Sequence, residues 1–503
     1  MGGERIGVLG AGIGGLIAAI YLAQAGYQVT ILEKAAYAGG SAGHYTRGGR
    51  TYPTGATMAY GLESNGIFRE LLDEIGVDIH AVAMEHAVDV VLPDRTVSLY
   101  QDRQLWEQEL AAVFHERSDS VLRFWRELSQ VAEQVIAVTR SRVAFPLNRL
   151  YQLGSFPKLI LRKPIKLLRL APYSLQTVED LLRKHGLSDY TVFRSFLNAQ
   201  LVDAAQTDCK HAALLPSALA LDIYRYGSFA IEGGFGGLVE KLEERFIQLG
   251  GQLLHRKPVT EMRYESKQWL ISSRTQEYVF DTIVNATGLQ WDGKALVEAE
   301  TIEGWGAFRI DAIVSEELTN QLHQTLTKLG HPFAWQIVPT QDQKLLPESN
   351  GPVYVTAHPA ANDDNQERAR EILLTISVHL PARDWKGKEK ADYNLAKESM
   401  ITAIVSEVEK VYPEFRQHLI HIQAGTPTTY KKYVGKSRVG GFPLTVRNAI
   451  RKPSGSKGAH PALVFAGEQV FPGPGTLSAA LSGFYAARAV MGRNPNKARR
   501  INR

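Results

Sequence analysis

The chemistry offered by this chain lies in glycine backbone and one carboxylate, not in a nucleophile. Gly10-Ala11-Gly12-Ile13-Gly14-Gly15 spells GxGxxG with a further glycine inside, and Glu33 follows about 20 residues later. In that spacing Gly10 permits a tight turn, Gly12 lets backbone reach a pyrophosphate, and Gly15 lets a helix lie close to a strand. A carboxylate at Glu33 can accept the hydroxyls of an adenosine ribose, and an acid there disfavours a ribose carrying a 2′-phosphate. The ligand described is a dinucleotide, either NAD or FAD. No Ser-His-Asp or Cys-His arrangement stands out. His44, His86, His255, His358, His379 and His421 show no ligand spacing, and His418 with His421 lacks a supporting carboxylate pair, so no metal site is expected. The single cysteine, Cys209, excludes an internal disulfide framework and a redox-active pair, so electrons need another carrier.

These residues function only if elements hold them in place. Residues 5–9 read as a short buried strand, and Leu16, Ala19, Ile20, Leu22 and Ala23 mark an apolar helix that stops near Gly26. Residues 28–32 read as a second strand ending at Glu33. The intervening helix would turn its N-terminal amides and positive dipole end toward the phosphates. A second glycine cluster, Gly39-Gly40-Ser41-Ala42-Gly43, follows Lys34 and suggests another close approach of backbone to ligand. Arg47 and Arg50 either help hold a pyrophosphate or sit on a solvated loop.

Further along, residues 48–57 read as loop or hairpin, 67–75 as an amphipathic helix closed by Gly76, and 88–99 as a hairpin around Pro93-Asp94. Helical patterning runs from 102 to about 139 and from 175 to 219. Phe229 to Gly237 opens a helix over 238–249, and strands are expected at 252–254, 259–264, 269–273 and 278–280. Residues 282–288 read as a buried strand at a sheet edge. Residues 304–412 carry mixed strands, a long helix over 393–411 and proline-bounded loops at Pro347 and Pro359, enough for a second sheet. Finally, 462–466 forms a strand leading through Gly467-Glu468 and Gly475-Thr476 to a helix over 477–491, a second helix N-terminus offered to a ligand.

The chain's 503 residues suit two or three domains, and 44% apolar with 22% charged residues is ordinary for a globular protein. A net charge of +5 is mild and points to no nucleic-acid partner. No stretch reaches the ~18 to 20 uninterrupted apolar residues of a membrane span. Met1 leads almost directly into the first strand, leaving no room for a signal peptide, so a cytoplasmic protein is expected. Residues 134–178 break the pattern with eight Lys or Arg, four Pro and no Asp or Glu among dense Leu, Ile, Phe and Tyr. That mixture suits peripheral docking on a membrane surface. Residues 497–503 form a basic tail expected to be disordered.

Residues 10–43, 231–251 and 465–487 together resemble the carotenoid (phytoene-type) desaturase, isomerase and ketolase family of FAD-dependent oxidoreductases in the amine oxidase superfamily. Gly55-Ala56-Thr57 followed by Gly61-Leu62-Glu63, and Phe471-Pro472-Gly473-x-Gly475-Thr476 leading to Ser482-Gly483, bring the likeness nearest to cyanobacterial-type C-3′,4′ desaturases. The resemblance implies an α/β fold, in which a Rossmann-like doubly wound FAD-binding domain (1–80, 225–300 and 425–492) is interleaved with an α+β substrate domain (81–224 and 301–424), before a tail at 493–503. It implies FAD contacts from Gly10, Gly12, Ile13, Gly14, Gly15, Glu33, Lys34, Gly39, Gly40, Ser41, Val259, Gly467, Glu468, Gly475, Thr476 and Leu477. Glu468 would meet the ribityl hydroxyls or the diphosphate. The implied substrate is a hydrophobic polyene, desaturated by hydride transfer to flavin N5. Isomerisation, ketolation, a protoporphyrinogen- or amine-oxidase-like reaction, and a flavin-bearing lipid-binding role remain as alternatives. A hydrocarbon gives an acid or base nothing to grip, so no catalytic residue is named.

Overall fold

Arg5–Leu9 is apolar on both faces, with Ile6, Val8 and Leu9 fully buried, and such a strand is stable only inside a covered parallel sheet. In the computed structural model it is the middle of five parallel strands ordered Gln252–Leu254, Gln28–Leu32, Arg5–Leu9, Thr282–Asn285, Leu463–Phe465. Residues 3–143, 168–274, 276–298, 305–315, 317–318, 334–340, 351–359, 372–451 and 460–492 are described. Thr282–Asn285, expected at the edge, lies one strand inside it. Leu463–Phe465, some 180 residues later in sequence, takes the edge.

Three helices cover one face of this sheet: Ile13–Gln24, Gly234–Gln248 and Thr476–Met491. The first and last cross almost backbone to backbone. A Cβ on Gly14 would lie 2.9 Å from the Gly467 nitrogen, and one on Gly483 would lie 2.3 Å from the Gly14 carbonyl oxygen. Alanine-sized residues complete the contact, with Ala18, Ala480, Ala486 and Ala487 fully buried. On the other face lies the antiparallel meander Glu261–Glu265, Gln268–Ser273, Gln276–Phe280, which buries Met262, Trp269 and Ile271 with Leu9 and Ile283. Its first strand begins at Glu261, not at 259, which leaves Val259 in a connecting loop. The helix expected from 238 begins at Gly234.

The second sheet has seven strands ordered Leu419–Gly425, Trp305–Val314, Ile372–Pro381, Val353–Pro359, Ala334–Ile337, His86–Val91, Thr96–Tyr100. All neighbours are antiparallel except Ala334–Ile337 with His86–Val91. Pro359 ends a strand and does not break a loop, while Pro347 falls outside the described residues. Successive side chains of a strand point to opposite faces. Phe308, Ile310 and Ala312 accordingly join the core under the long helix Lys390–Glu409, and Ala307 and Arg309 face a cavity. A helical lobe, chiefly Arg103–Val113, Ser118–Thr139, Val178–Lys184, Thr191–Ala204 and Leu214–Asp222, packs an aromatic core of Trp106, Phe114, Phe124, Trp125, Phe193 and Phe196 beside this sheet.

No helix among the described residues is long and apolar enough to cross a membrane. Residues 144–167 of the basic, apolar stretch and the tail at 493–503 lie outside the described residues. The close helix crossing yields a test. Gly483→Val inserts atoms where only a carbonyl fits and should cost about 1–3 kcal/mol of stability. The measurement is the thermal midpoint against wild type, and an unchanged midpoint would contradict the crossing.

Candidate functional site

The first strand turns into its helix at Gly10, whose φ of +94° suits glycine and whose N–H donates to the Leu32 carbonyl at 2.9 Å. Gly15 sits behind this turn, where a Cβ would come within 2.1 Å of the Gly10 oxygen. Gly12 caps the helix, and a Cβ there would meet nothing within 4 Å. The first helical turn has no acidic side chain, and its amides have no partner inside the helix. Glu33 closes the opposite side. Its Oε2 accepts the Ala11 N–H at 2.7 Å and its Oε1 accepts the Ala35 N–H at 2.7 Å. Each oxygen keeps a further lone pair for a ribose hydroxyl.

The second glycine cluster docks on the first. Gly39 bridges Gly12, and its N–H donates to the Ala11 carbonyl at 2.8 Å. The Thr54 hydroxyl lies 2.7 Å from the Gly40 carbonyl and 2.9 Å from that of Gly43, and the Ala56 N–H donates to the Ser41 carbonyl at 2.9 Å. From the far end of the chain, the Gly467 N–H donates to Ser482 Oγ at 2.7 Å, and Gly475 introduces the last helix at Thr476.

These pieces wall a single cavity of about 1130 Å³. Gly10, Gly12, Ile13, Gly14, Glu33, Lys34, Gly39, Gly40, Ser41, Val259, Gly467, Glu468, Gly475, Thr476 and Leu477 all line it. Gly15 does not, because its place is against the Gly10 carbonyl; its role is packing. Arg47 and Arg50 also miss the wall, facing each other across the turn of the His44–Arg47 and Arg50–Pro53 hairpin. Glu468 is ion-paired with Lys436, a residue that no sequence motif marked. Burial lowers the Lys34 ammonium pKa against the opposing pull of Glu33, and Lys34 Nζ donates to the Lys431 carbonyl at 3.2 Å.

Away from Glu33 and Glu468 the wall turns apolar, with Val135, Val138, Val143, Leu170, Leu215 and Leu219 contributed by the helical lobe. The second sheet adds Arg309, which donates to Asp311 Oδ1 at 2.7 Å and to the Thr375 hydroxyl at 3.2 Å; Asp311 in turn accepts from the Tyr45 hydroxyl at 2.8 Å. His358 is held neutral, pushed down to about 3 by burial and then by Arg309. The signal for Arg309 was available: Arg309 and Asp311 interrupt an otherwise apolar ten-residue strand. Among the described residues no group of three potential metal ligands occurs.

The open position over Gly12, two helix N-termini and the spare lone pairs of Glu33 fit the diphosphate and ribose of FAD. Removing the Glu33 carboxylate should weaken retention of FAD by about ten- to a hundredfold, the worth of roughly 1.5–3 kcal/mol for a charged hydrogen-bond partner. Gly12→Val should act more strongly, since its side chain fills the open space. Both are read as flavin per chain after dialysis, and stoichiometric flavin in both variants would contradict the placement.

Residues 13–491 match the family described as flavin-containing amine oxidoreductases. A chloroplastic prolycopene isomerase of Daucus carota is 25% identical over 500 residues, covering 96% of this chain and 79% of that protein. An all-trans-retinol 13,14-reductase of Macaca fascicularis is 22% identical over 473 residues, covering 86% of this chain and 75% of that one. Among solved structures, an oxidoreductase of Methanosarcina mazei superposes with a TM-score of 0.60 at 15% identity, over 96% of this chain and 99% of that one. Cyclohexylamine oxidase of Brevibacterium oxydans gives 0.58 at 13% identity, over 100% of both chains. The two structures bear on fold alone, which is Rossmann-like around the parallel sheet. With the match running from the first helix through the last, the chain belongs to the flavin-containing amine oxidoreductase family and is an FAD-dependent oxidoreductase.

Proposed function

We propose that this enzyme acts on a long apolar polyene of the carotenoid class, and that its net reaction is desaturation. The observation that carries the proposal is the continuity of one cavity from the glycine turns into the helical lobe. At about 1130 Å³ it lies above the roughly 300–1,000 Å³ usual for one small-molecule pocket, which supports a second molecule beside a nucleotide. Charges gather where Glu33, Lys34, Lys257, Lys436 and Glu468 lie, while Val135, Val138, Val143 and Leu170 offer an uncharged surface. A carbon chain gains about 25 cal/mol for each Å² buried against such a wall. When bound, FAD supplies the hydride acceptor. The protein's part is to exclude water and hold one carbon at near-attack distance, which can supply about 7–11 kcal/mol of the barrier reduction.

A second reading, isomerisation without net oxidation, is favoured by the likeness to prolycopene isomerases. Both are tested by incubating the purified protein, an acyclic carotene in detergent and an artificial electron acceptor. Desaturation predicts absorption at longer wavelength and a loss of two hydrogens. Isomerisation predicts unchanged mass with altered chromatographic retention. An unaltered carotene together with peroxide formation from a simple amine would contradict the proposal.

Delivery of such a substrate requires contact with lipid, and we assign it to the basic, apolar residues 134–178 on their composition. The described flanks support this, since Val143 and Leu170 on either side of 144–167 line the cavity. Each cation near an anionic surface contributes roughly 1 kcal/mol, screened by salt. Changing Lys158, Arg162, Lys163 and Lys166 to Gln should therefore reduce sedimentation with anionic liposomes while bound FAD is retained. Equal sedimentation of wild type and variant would contradict the assignment.

A further inference from the structure

Between the short helices Pro427–Tyr433 and Val446–Arg451 the chain runs as a strap of irregular backbone, and Val434, Gly435, Lys436, Val439, Gly440 and Leu444 of this strap line the cavity. It meets the nucleotide-facing walls at Lys34, Gly288 and Glu468. Lys34 Nζ donates to the Lys431 carbonyl at 3.2 Å just before the strap, and a Cβ on Gly435 would lie 3.8 Å from the Lys34 side chain. A Cβ on Gly288 would lie 3.6 Å from Lys436 Nζ, and Lys436 is ion-paired with Glu468. The backbone of the strap is tied elsewhere. The Val439 N–H donates to the Trp305 carbonyl at 2.9 Å, the Leu444 N–H donates to the Ala205 carbonyl at 2.8 Å, and the Leu444 carbonyl accepts the Ala213 N–H at 2.8 Å. By its backbone the strap belongs to the second sheet and the helical lobe. It lies against the nucleotide walls chiefly through side chains.

One carboxylate fastens its middle. Glu298 follows the hairpin strand Leu296–Val297. Its Oε1 accepts the Ser437 N–H at 3.0 Å and, at 3.3 Å each, the N–H and the Nε–H of Arg438. The Ser437 hydroxyl lies 2.8 and 2.9 Å from the two carboxylate oxygens. Burial pushes the Glu298 carboxyl up, but the Ser437 and Arg438 donors outweigh it and hold the pKa below its ordinary value. Glycines bracket this latch, Gly435 at a φ of +103° and Gly440 and Gly441 both at +77°. The nesting leaves two of them no room for a side chain: a Cβ on Gly440 would lie 2.3 Å from Gln206 Nε2, and one on Gly441 would lie 2.3 Å from the Glu468 carbonyl oxygen. Glycine also turns readily to other backbone angles, as a hinge requires. We propose that residues 434–441 are a gate for FAD held shut by Glu298, so that cofactor exchange waits on the release of Ser437 and Arg438. The inference rests on the placement of FAD at Glu33 and the glycine turns, and it is independent of the polyene reading.

The test compares rates with affinity in the full chain. Release is timed by exchange of bound FAD against excess labelled FAD, and uptake by rapid mixing of the deflavinated protein with FAD. Glu298→Ala should speed both release and uptake about ten- to a hundredfold, the worth of a charged hydrogen-bond partner. Their ratio, Kd, should stay near the wild-type value, because the latch acts on the gate and not on the cofactor. Ser437→Ala, which removes one donor from the same carboxylate, should act in the same direction by a smaller factor. Trypsin reads the gate itself: cleavage after Lys436 and Arg438 should be slow in wild type and fast in Glu298→Ala with FAD still bound. Unchanged exchange rates in the variants would overturn the gate. Faster release with unchanged uptake would also overturn it, since Kd would rise in proportion and Glu298 would be a group that holds the cofactor. Faster exchange without faster cleavage would overturn it as well, placing the opening elsewhere. If Glu298→Ala is recovered without flavin, the two rates of Ser437→Ala decide. Wild-type protein unable to take up FAD would overturn the cofactor placement together with the gate.

Discussion

The structure depends on a contact made without side chains. The first helix and the last approach so closely at Gly14 and Gly483 that a single Cβ would collide with backbone. Nothing larger than glycine can stand there, and nothing weaker than a fixed backbone contact would hold the two nucleotide-facing turns in one register. Gly467 is locked to the last helix through Ser482, and Gly10 is locked to the second strand through Leu32. One site is thereby assembled from residues 10–15, 33–41 and 467–477, although most of the chain lies between them. What lies between is free to build the second sheet and the helical lobe, whose apolar surfaces continue the same cavity.

The division of labour in that cavity follows from dielectric arguments. Backbone amides and the Glu33 carboxylate offer a polar nucleotide fixed dipoles that need no reorganisation. The apolar wall of the helical lobe offers shape and area. Three charged wall residues are paired: Lys436 with Glu468, and Arg309 with Asp311 behind it. Removing one partner of the buried Arg309 pair would leave an uncompensated charge.

The sequence made the nucleotide half legible and the rest only partly so. Gly10, Gly12 and Glu33 act locally, through turn geometry and a spacing of about 20 residues, and both survive translation into a linear pattern. The packing role that GxGxxG assigns to Gly15 agrees with its place against the Gly10 carbonyl, while the FAD contact that the family resemblance implied for it falls off the cavity wall. Strand boundaries slipped where loops are extended, as at Val259. Lys436, Arg309, Asp203 and His379 were not found as wall residues, since they lie far apart in sequence and meet only in the folded chain. His379 was noticed and set aside because it lacked a metal-ligand spacing; its partner Asp203 is remote in sequence, and no periodicity joins them. The dinucleotide fold was legible in glycines that touch backbone, whereas the flavin and the oxidoreductase chemistry were legible only through the resemblance carried by three separated stretches.

One cavity serving both the flavin and an apolar polyene is the central proposal, and its direct measurement is stoichiometric. Titrating the FAD-loaded protein with an acyclic carotene under anaerobic conditions should quench flavin fluorescence saturably, with an endpoint of one carotene per chain. A signal that never saturates, or flavin emission indifferent to carotene while a simple amine bleaches it, would contradict the account.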